Sequence, residues 1–271
     1  MSIRRSYSIS TLVVSIWAVI AAPAALAQSI DPGQPTVLIT GSNRGIGLAF
    51  AQYYSAEGWN VIATARDPDD AGELQALAAS NSHVLVEQLD VTDYARIDEL
   101  AAEYAATPID VLINNAGVYG DRDKQEWDVL DPQTFHDINA VNVLGPLKMT
   151  EAFADHVAMS RQKKIVSITS GAGSVSPDRI AGGGVFYAIS KAALNMAMRK
   201  ARAELEPRGI IVAAIAPGIV YTDMLATNRP SLLPRSRTPE ESVAGIAAVI
   251  ASLDRTYDGS PRNYDGSVLP W

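Results

Sequence analysis

The chain contains no cysteine. Disulfides, thiolate metal sites and cysteine nucleophiles are therefore excluded. Imidazole is scarce too: His83, His136 and His156 are the only histidines, and no two have metal-ligand spacing. A metal site is not expected. Positive charge is in the minority, with 22 Lys and Arg against 30 Asp and Glu and a net charge of −8, which argues against nucleic acid as a partner because phosphate binding needs a basic surface. What is abundant is apolar side chain, 48% of 271 residues. That is enough for a substantial core in one large α/β domain.

Residues 1–27 read as a signal peptide rather than as part of a fold. Arg4 and Arg5 form a charged start, Thr11 to Ala22 is an apolar run, Pro23 breaks it, and Ala25-Leu26-Ala27 offers small residues at the two positions a signal peptidase reads. The run is shorter than the ~20 residues of a spanning helix, so no stable membrane association is expected after cleavage, an uncleaved anchor being the competing reading. Ile3-Arg4-Arg5-Ser6-Tyr7-Ser8 also resembles a twin-arginine signal, so general secretion and folded export both stay open. Either places the chain in the periplasm or outside the cell. The mature part keeps twenty basic against thirty acidic side chains, a net charge of −10.

Residues 28–35, with Pro32, Gly33 and Pro35, read as a linker, and residues 36–271 as one domain. Thr36 to Thr40 is a short apolar run suited to a buried parallel strand. It opens into Gly41-Ser42-Asn43-Arg44-Gly45-Ile46-Gly47 and then a helical stretch. Strand, glycine turn and helix in that order make a dinucleotide site, since glycine lets the backbone approach a pyrophosphate and the helix start supplies oriented N–H groups. The spacing is GxxxGxG rather than the commoner GxGxxG. A second strand, 60–64, ends at Arg66, where an acid would favour NAD and a base favours the 2′-phosphate of NADP. With Arg44 in the turn, NADP is the expected cofactor and NAD the weaker candidate; Asp67 argues the other way.

Strands and helices then alternate: helix 69–80, strand 83–88, helix from 94, strand 110–113, helical segments 134–145 and 147–160 meeting near Gly145-Pro146, strand 163–169, helix 187–206, strand 210–215 and helix 240–253. This predicts a single doubly wound parallel sheet of the Rossmann type, with helices on both faces. Gln162-Lys163-Lys164 reads as a solvated loop. Tyr187 and Lys191 lie four apart at the start of a helix, so both side chains share one face. A lysine charge beside a phenol favours the phenolate, which suits a proton donor and acceptor for an alcohol or ketone. The pair alone is weak evidence, expected roughly 0.2 times by chance in this composition.

The order of motifs supplies the context. Thr40-Gly41-xxx-Gly45-x-Gly47, Asp90-Val91, Asn114-Asn115-Ala116-Gly117, Asn142, Ser170, Tyr187-xxx-Lys191 and Pro217-Gly218-Ile219-Val220-Tyr221-Thr222 together resemble the short-chain dehydrogenase/reductase family across residues 36–271. The resemblance implies an enzyme moving a hydride between nicotinamide and a small carbonyl or alcohol substrate. It implies that Ser170, Tyr187, Lys191 and Asn142 are catalytic, with Asn142 holding a water linked to Lys191. It gives the cofactor Gly41 to Gly47, Arg66, Asp90, Val91, Asn114, Ala116, Gly117, Tyr187, Lys191, Pro217, Gly218, Val220 and Thr222. In many members the serine lies thirteen residues before the tyrosine, which would be Ser174; Ser170 implies a four-residue insertion between Gly171 and Gly184, expected to form part of the active-site wall. That insertion and the ending Tyr264 to Trp271 are similar to a branch containing the insect carbonyl reductase sniffer and the myxobacterial C-factor. An exported signalling or cofactor-sensing protein with little turnover is therefore the alternative. Residues 221–237 are expected to form a lid, with Leu225, Leu232 and Leu233 facing an apolar substrate or packing internally. Family members assemble through the helices at 147–160 and 187–206, which implies a homodimer or homotetramer, the branch leaving a monomer open.

Overall fold

The computed structural model describes residues 29–176 and 184–271. The signal-peptide reading of residues 1–27 and most of the expected insertion, residues 177–183, lie outside it. The central sheet is built from β1 (Thr36–Ile39), β2 (Asn60–Ala65), β3 (Val84–Gln88), β4 (Val111–Asn114), β7 (Lys164–Ile168), β8 (Ile211–Ala216) and the two-residue β9 (Arg262–Asn263), in the order β3-β2-β1-β4-β7-β8-β9. Every pairing in it is parallel. The side hairpin of β5 (Gln125–Glu126) and β6 (Val129–Leu130) was not legible as strand, being too short to carry a pattern.

Why a parallel sheet forms is visible in the strands. Val37, Leu38 and Ile39 are all fully buried, because helices cover both faces and leave no solvent side for a polar alternation. Val37 and Ile39 point into one apolar layer with Phe50 and Tyr54 of α1 (Gly45–Ala56) and Ile246 of α8 (Pro239–Ser252). Leu38 points into the other, with Ile97 of α3 (Tyr94–Glu103), Phe153 of α5 (Gly145–Met159) and Met198 of α6 (Val185–Leu205). The remaining helices are α2 (Gly72–Ser80), α4 (Pro132–Asn139) and the short α7 (Asp223–Asn228).

Two expectations need correction. The two helical segments expected to meet near Gly145-Pro146 are one continuous run: α4 passes through a π turn, Ala140–Leu144, directly into α5. A widened turn makes room for a proline ring that would otherwise meet the carbonyl four residues back. Lys164 is not in a solvated loop. It opens β7, is buried, and donates from Nζ to the Ile250 (2.7 Å) and Ala251 (3.3 Å) carbonyls at the end of α8. An ammonium there meets the exposed carbonyl end of a helix dipole. Residues 29–35 are tied to the lower edge of the sheet, Asn60 donating to the Asp31 carbonyl while its own carboxamide oxygen accepts from Asp31 N–H.

Candidate active site

In an open parallel sheet the crevice lies where strand order reverses, outside the carboxyl ends of the strands. Here that point is β1, flanked by β2 on one side and β4 on the other. The glycine turn leaves β1 and Asn114-Asn115 leaves β4, so the two motifs meet there. The Asn115 carboxamide donates to the Thr40 (2.9 Å) and Gly41 (3.0 Å) carbonyls, while Thr40 Oγ1 accepts from the Asn115 and Ala116 N–H groups, both at 3.1 Å. Gly41 adopts φ +69°, and a Cβ on it would lie 2.9 Å from the Ala116 Cα. A side chain on Gly47 would overlap the Gly41 carbonyl and come within 2.6 Å of the Asn115 amide nitrogen. Both positions are thus glycine for packing reasons.

The start of α1 is built for an anion. No side chain caps it and no acid occupies its first turn, so its first N–H groups are orphan donors under the positive end of the helix dipole. Exposed Arg44 precedes it and pairs with Asp223 of α7 at 3.2 Å; exposed Arg66 follows β2. Asp90 accepts from the Thr92 N–H (2.9 Å) and hydroxyl (2.7 Å), which fixes the turn carrying buried Val91. Asn114 is buried, its amide reaching Ser167 at 3.3 Å while Oδ1 has no protein partner. These donors and the cradle fit a dinucleotide diphosphate.

Toward β8, the loop 217–222 is held by Arg237, a residue that the sequence did not flag. Its main chain exchanges hydrogen bonds with Ile219 (3.0 Å) and Tyr221 (2.8 Å), and its guanidinium stacks 3.6 Å over Tyr264 against Gly218, where any side chain would collide with it. Ser242 donates to the Pro217 carbonyl at 2.8 Å. Thr222 caps α7 and faces Gly45 of the glycine turn. Val220 is buried beside this loop. The segment after it forms α7 and a 3-10 turn, Pro230–Arg235, in which Leu225, Leu232 and Leu233 are half-buried. Arg122 donates to the carbonyl of Asn228 at the far end of α7 (3.4 Å).

Between these loops sit the four expected catalytic side chains. Ser170 lies two residues beyond β7 and accepts from the Ala172 N–H (3.1 Å). Its loop rests on α6 because Gly173 has no side chain: a Cβ there would lie 2.6 Å from the Lys191 backbone. Buried Asn195, also unforeseen, pins the same loop, accepting from Thr169 Oγ1 (2.6 Å) and donating to the Gly173 carbonyl (3.3 Å). Ser174 turns away, its hydroxyl directed at the Trp271 carbonyl (3.4 Å). Lys191 is buried, donates to the Ile168 carbonyl (2.9 Å), and lies 5.8 Å from the Tyr187 ring centre. Asn142, fully buried in the π turn, spends its amide on the Val118 carbonyl (2.8 Å) and the Ser190 hydroxyl (3.0 Å); Oδ1 accepts from the Val118 N–H (2.8 Å). Gly117 separates it from Lys191, a Cβ there lying 3.4 Å from Asn142 Oδ1 and 3.5 Å from Lys191 Nζ.

The electrostatics differ from the expectation of a lysine-lowered phenol. Burial pushes the Tyr187 phenol above its ordinary value, a hydrogen bond with Ser170 acts against the rise, and neighbouring Tyr119 adds to it. Burial also pushes Lys191 down to about 8. In the protein alone, desolvation sets the direction for both groups. Among the described residues no cluster of metal-ligating side chains occurs, and no helix is long and apolar enough to cross a membrane.

Comparison with known proteins agrees with this geometry. The family model for short chain dehydrogenases matches residues 35–232. The NADPH-bound carbonyl reductase from chicken fatty liver is 33% identical, superposes with a TM-score of 0.80, and the match covers 88% of this chain and 99% of that one. The carbonyl reductase Sniffer of D. melanogaster is 25% identical with a TM-score of 0.77, over 88% of this chain and all of the other. The C-signal of Myxococcus xanthus is 34% identical over 174 residues, 63% of this chain and 98% of that protein. The chain belongs to the short-chain dehydrogenase/reductase family.

Proposed function

We propose that this protein is an exported, NADP(H)-dependent oxidoreductase that interconverts a small carbonyl compound and its alcohol. The observation that carries the reading is the convergence of Ser170, Tyr187 and Lys191 beside a glycine turn whose helix start is uncapped and free of acids. The NADPH bound to the chicken carbonyl reductase supports the cofactor, as do Arg44 and Arg66 at the positions where a 2′-phosphate needs a cation. Gly41 to Gly47 would hold the diphosphate, Asp90 and Val91 the adenine, and Asn114, Ala116 and Gly117 the floor of the crevice. Pro217, Gly218, Val220 and Thr222 would hold the carboxamide, with Tyr187 and Lys191 at the nicotinamide ribose. When bound, the cofactor supplies or accepts the hydride.

The chain's own work is binding, orientation and a proton. The Tyr187 phenol donates its proton to the substrate oxygen in reduction and takes one up in oxidation. Its raised proton affinity keeps it protonated and ready to donate at neutral pH; a positive charge on the nicotinamide side would favour the phenolate for oxidation. Ser170 donates to the same oxygen, a contact worth about 10²–10³ in rate. Lys191 orients the ribose and returns a proton toward Tyr187. Both amide hydrogens of Asn142 are spent on Val118 and Ser190, and Oδ1 keeps one lone pair beyond the Val118 N–H, so a water linking it to Lys191 would donate to that oxygen. Exposed Met159 of α5 and Met196 of α6 support association through those helices. No specific observation favours a signalling role without turnover. Export rests on residues 1–27 alone, and N-terminal sequencing of the mature protein, expected to begin at Gln28, tests it.

The deciding experiment pairs Tyr187→Phe with fluorescence titration of NADPH. Turnover of an aldehyde and ketone panel should vanish while NADPH affinity falls by no more than about tenfold, the worth of one ribose hydrogen bond; retained reductase activity would refute the mechanism. Arg66→Ala should weaken NADPH more than tenfold and leave NADH unchanged; equal effects on the two would refute the cofactor assignment.

A further inference from the structure

Two buried side chains outside the catalytic set converge on the first turn of α6. Gln125 of β5 is fully buried, its amide donating to the carbonyls of Tyr119 (2.9 Å) and Asp121 (3.1 Å), and its Oε1 accepting from the Tyr187 N–H (3.1 Å). Tyr119, also buried, accepts from the Gly184 N–H at its hydroxyl (2.7 Å) and stacks on the Tyr187 ring with centroids 4.7 Å apart and planes 25° apart. Any side chain on Gly184 would collide with the Gln125 carboxamide, so that glycine serves the contact. The helix itself provides no side-chain cap. The first N–H groups of a helix are orphans that must be satisfied from elsewhere, and here the partners are Gln125 and Tyr119.

We propose that Tyr119 and Gln125 form a latch that positions Tyr187, Gln125 fixing its backbone and Tyr119 fixing its ring plane. This rests on reading Tyr187 as the proton donor and acceptor. A phenol in the first turn of a helix sits where helices fray, and a misplacement of about 1 Å at a reacting group can cost on the order of 10² in rate. Neither latch residue belongs to the glycine turn or to Asn114–Gly117 at the floor of the β1–β4 crevice, so its loss is expected to fall on the chemical step. The Tyr119 ring also covers the phenol, so its removal hydrates Tyr187 and makes the phenolate easier to form.

The test uses the full chain with Tyr119→Phe, Tyr119→Leu, Gln125→Leu and Tyr187→Phe. The readouts are kcat and KM on a ketone, NADPH affinity by fluorescence, and the pH profile of alcohol oxidation. The leucine variants should lose about ten- to a hundredfold in kcat with NADPH affinity within twofold of wild type. Tyr119→Leu should also move the oxidation limb to lower pH, and Tyr119→Phe, which keeps the stack, should restore the wild-type profile and most of kcat. Gln125→Asn keeps the amide but shortens its reach; it carries the same expected kcat loss where a leucine variant does not fold. Wild-type kcat and pH profile in the folded variants, or a loss of kcat matched by an equal loss of cofactor affinity, overturns the latch. If Tyr187→Phe keeps turnover, the proton-transfer reading itself fails; if it is inactive while the latch variants match wild type, only the positioning role fails.

Discussion

Replacing Lys191 with Met should make the protein more stable and inactive. The ammonium is 5% exposed, donates to one carbonyl, and is held by burial at about 8 rather than its ordinary 10.5. At pH 7 it is charged in both folded and unfolded chains, so this lowered proton affinity corresponds to about 3 kcal/mol against folding. Met has a similar shape and no charge, so the substitution removes that cost but strips the Ile168 carbonyl of its donor, a loss of about 1–3 kcal/mol. The net gain is about 0–2 kcal/mol, and for a domain of this size about 2–4 °C in melting temperature per kcal/mol. The sign with pH follows from linkage. The unfolded chain binds the extra proton between about 8 and 10.5, so wild-type stability contributed by this group rises across that window. The gap between variant and wild type should therefore be full at pH 7 and narrow as pH climbs through 8 towards 10. Paired thermal melts of the cofactor-free proteins at pH 7, 8.5 and 10 measure it, with every other group cancelling in the difference. A variant less stable than wild type at pH 7, or a gap indifferent to pH, would refute the account.

Gly47→Ala should cost at least 1–3 kcal/mol as an overpacked contact, since its methyl would overlap the Gly41 carbonyl, and should weaken NADPH binding more than tenfold in titration. Thr238→Ala should lower stability by about 1 kcal/mol without touching kcat, because Thr238 and Glu241 form a reciprocal capping box at the start of α8; a urea titration alongside an activity assay checks both halves.

The parallel sheet and the glycine turn were legible because their causes are local: apolar runs of four to six residues, and glycines at a strand-to-helix boundary. Tyr187 and Lys191 were legible because helical spacing fixes their shared face. What the sequence could not convey was the consequence of burial. Lys164 sits in a polar triplet with two charges that reads as surface, yet it ends under α8, because its Nζ finds two carbonyls 86 and 87 residues away. The same blindness inverted the expected direction of the Tyr187 shift, where desolvation decides. Asn195, Gln125 and Arg237 act by filling hydrogen bonds on distant main chain, and no spacing rule marks them. Residue type offered one faint signal, since an amide next to a glycine-rich or aromatic segment is a ready partner for backbone groups. The π turn at Asn142 was masked by Pro146, which reads as a break.

The pairing order of the sheet has a consequence for when the protein becomes competent. β1 takes its second neighbour not from the next strand in sequence but from β4, with Val37 opposite Val111, and the glycine turn leans on Asn115 and Ala116 beyond it. Contacts so far apart in the chain form late, since loop closure must precede any reward. During synthesis the turn has no floor until the chain has extended past residue 116, and Tyr187 and the loop at Pro217 come later still. The dinucleotide site is thus complete only once β4 and the loop at Pro217 have both been made and packed against β1. Cofactor loading is tied to wherever folding finishes, and a chain that crosses a membrane unfolded must find its nucleotide on the far side.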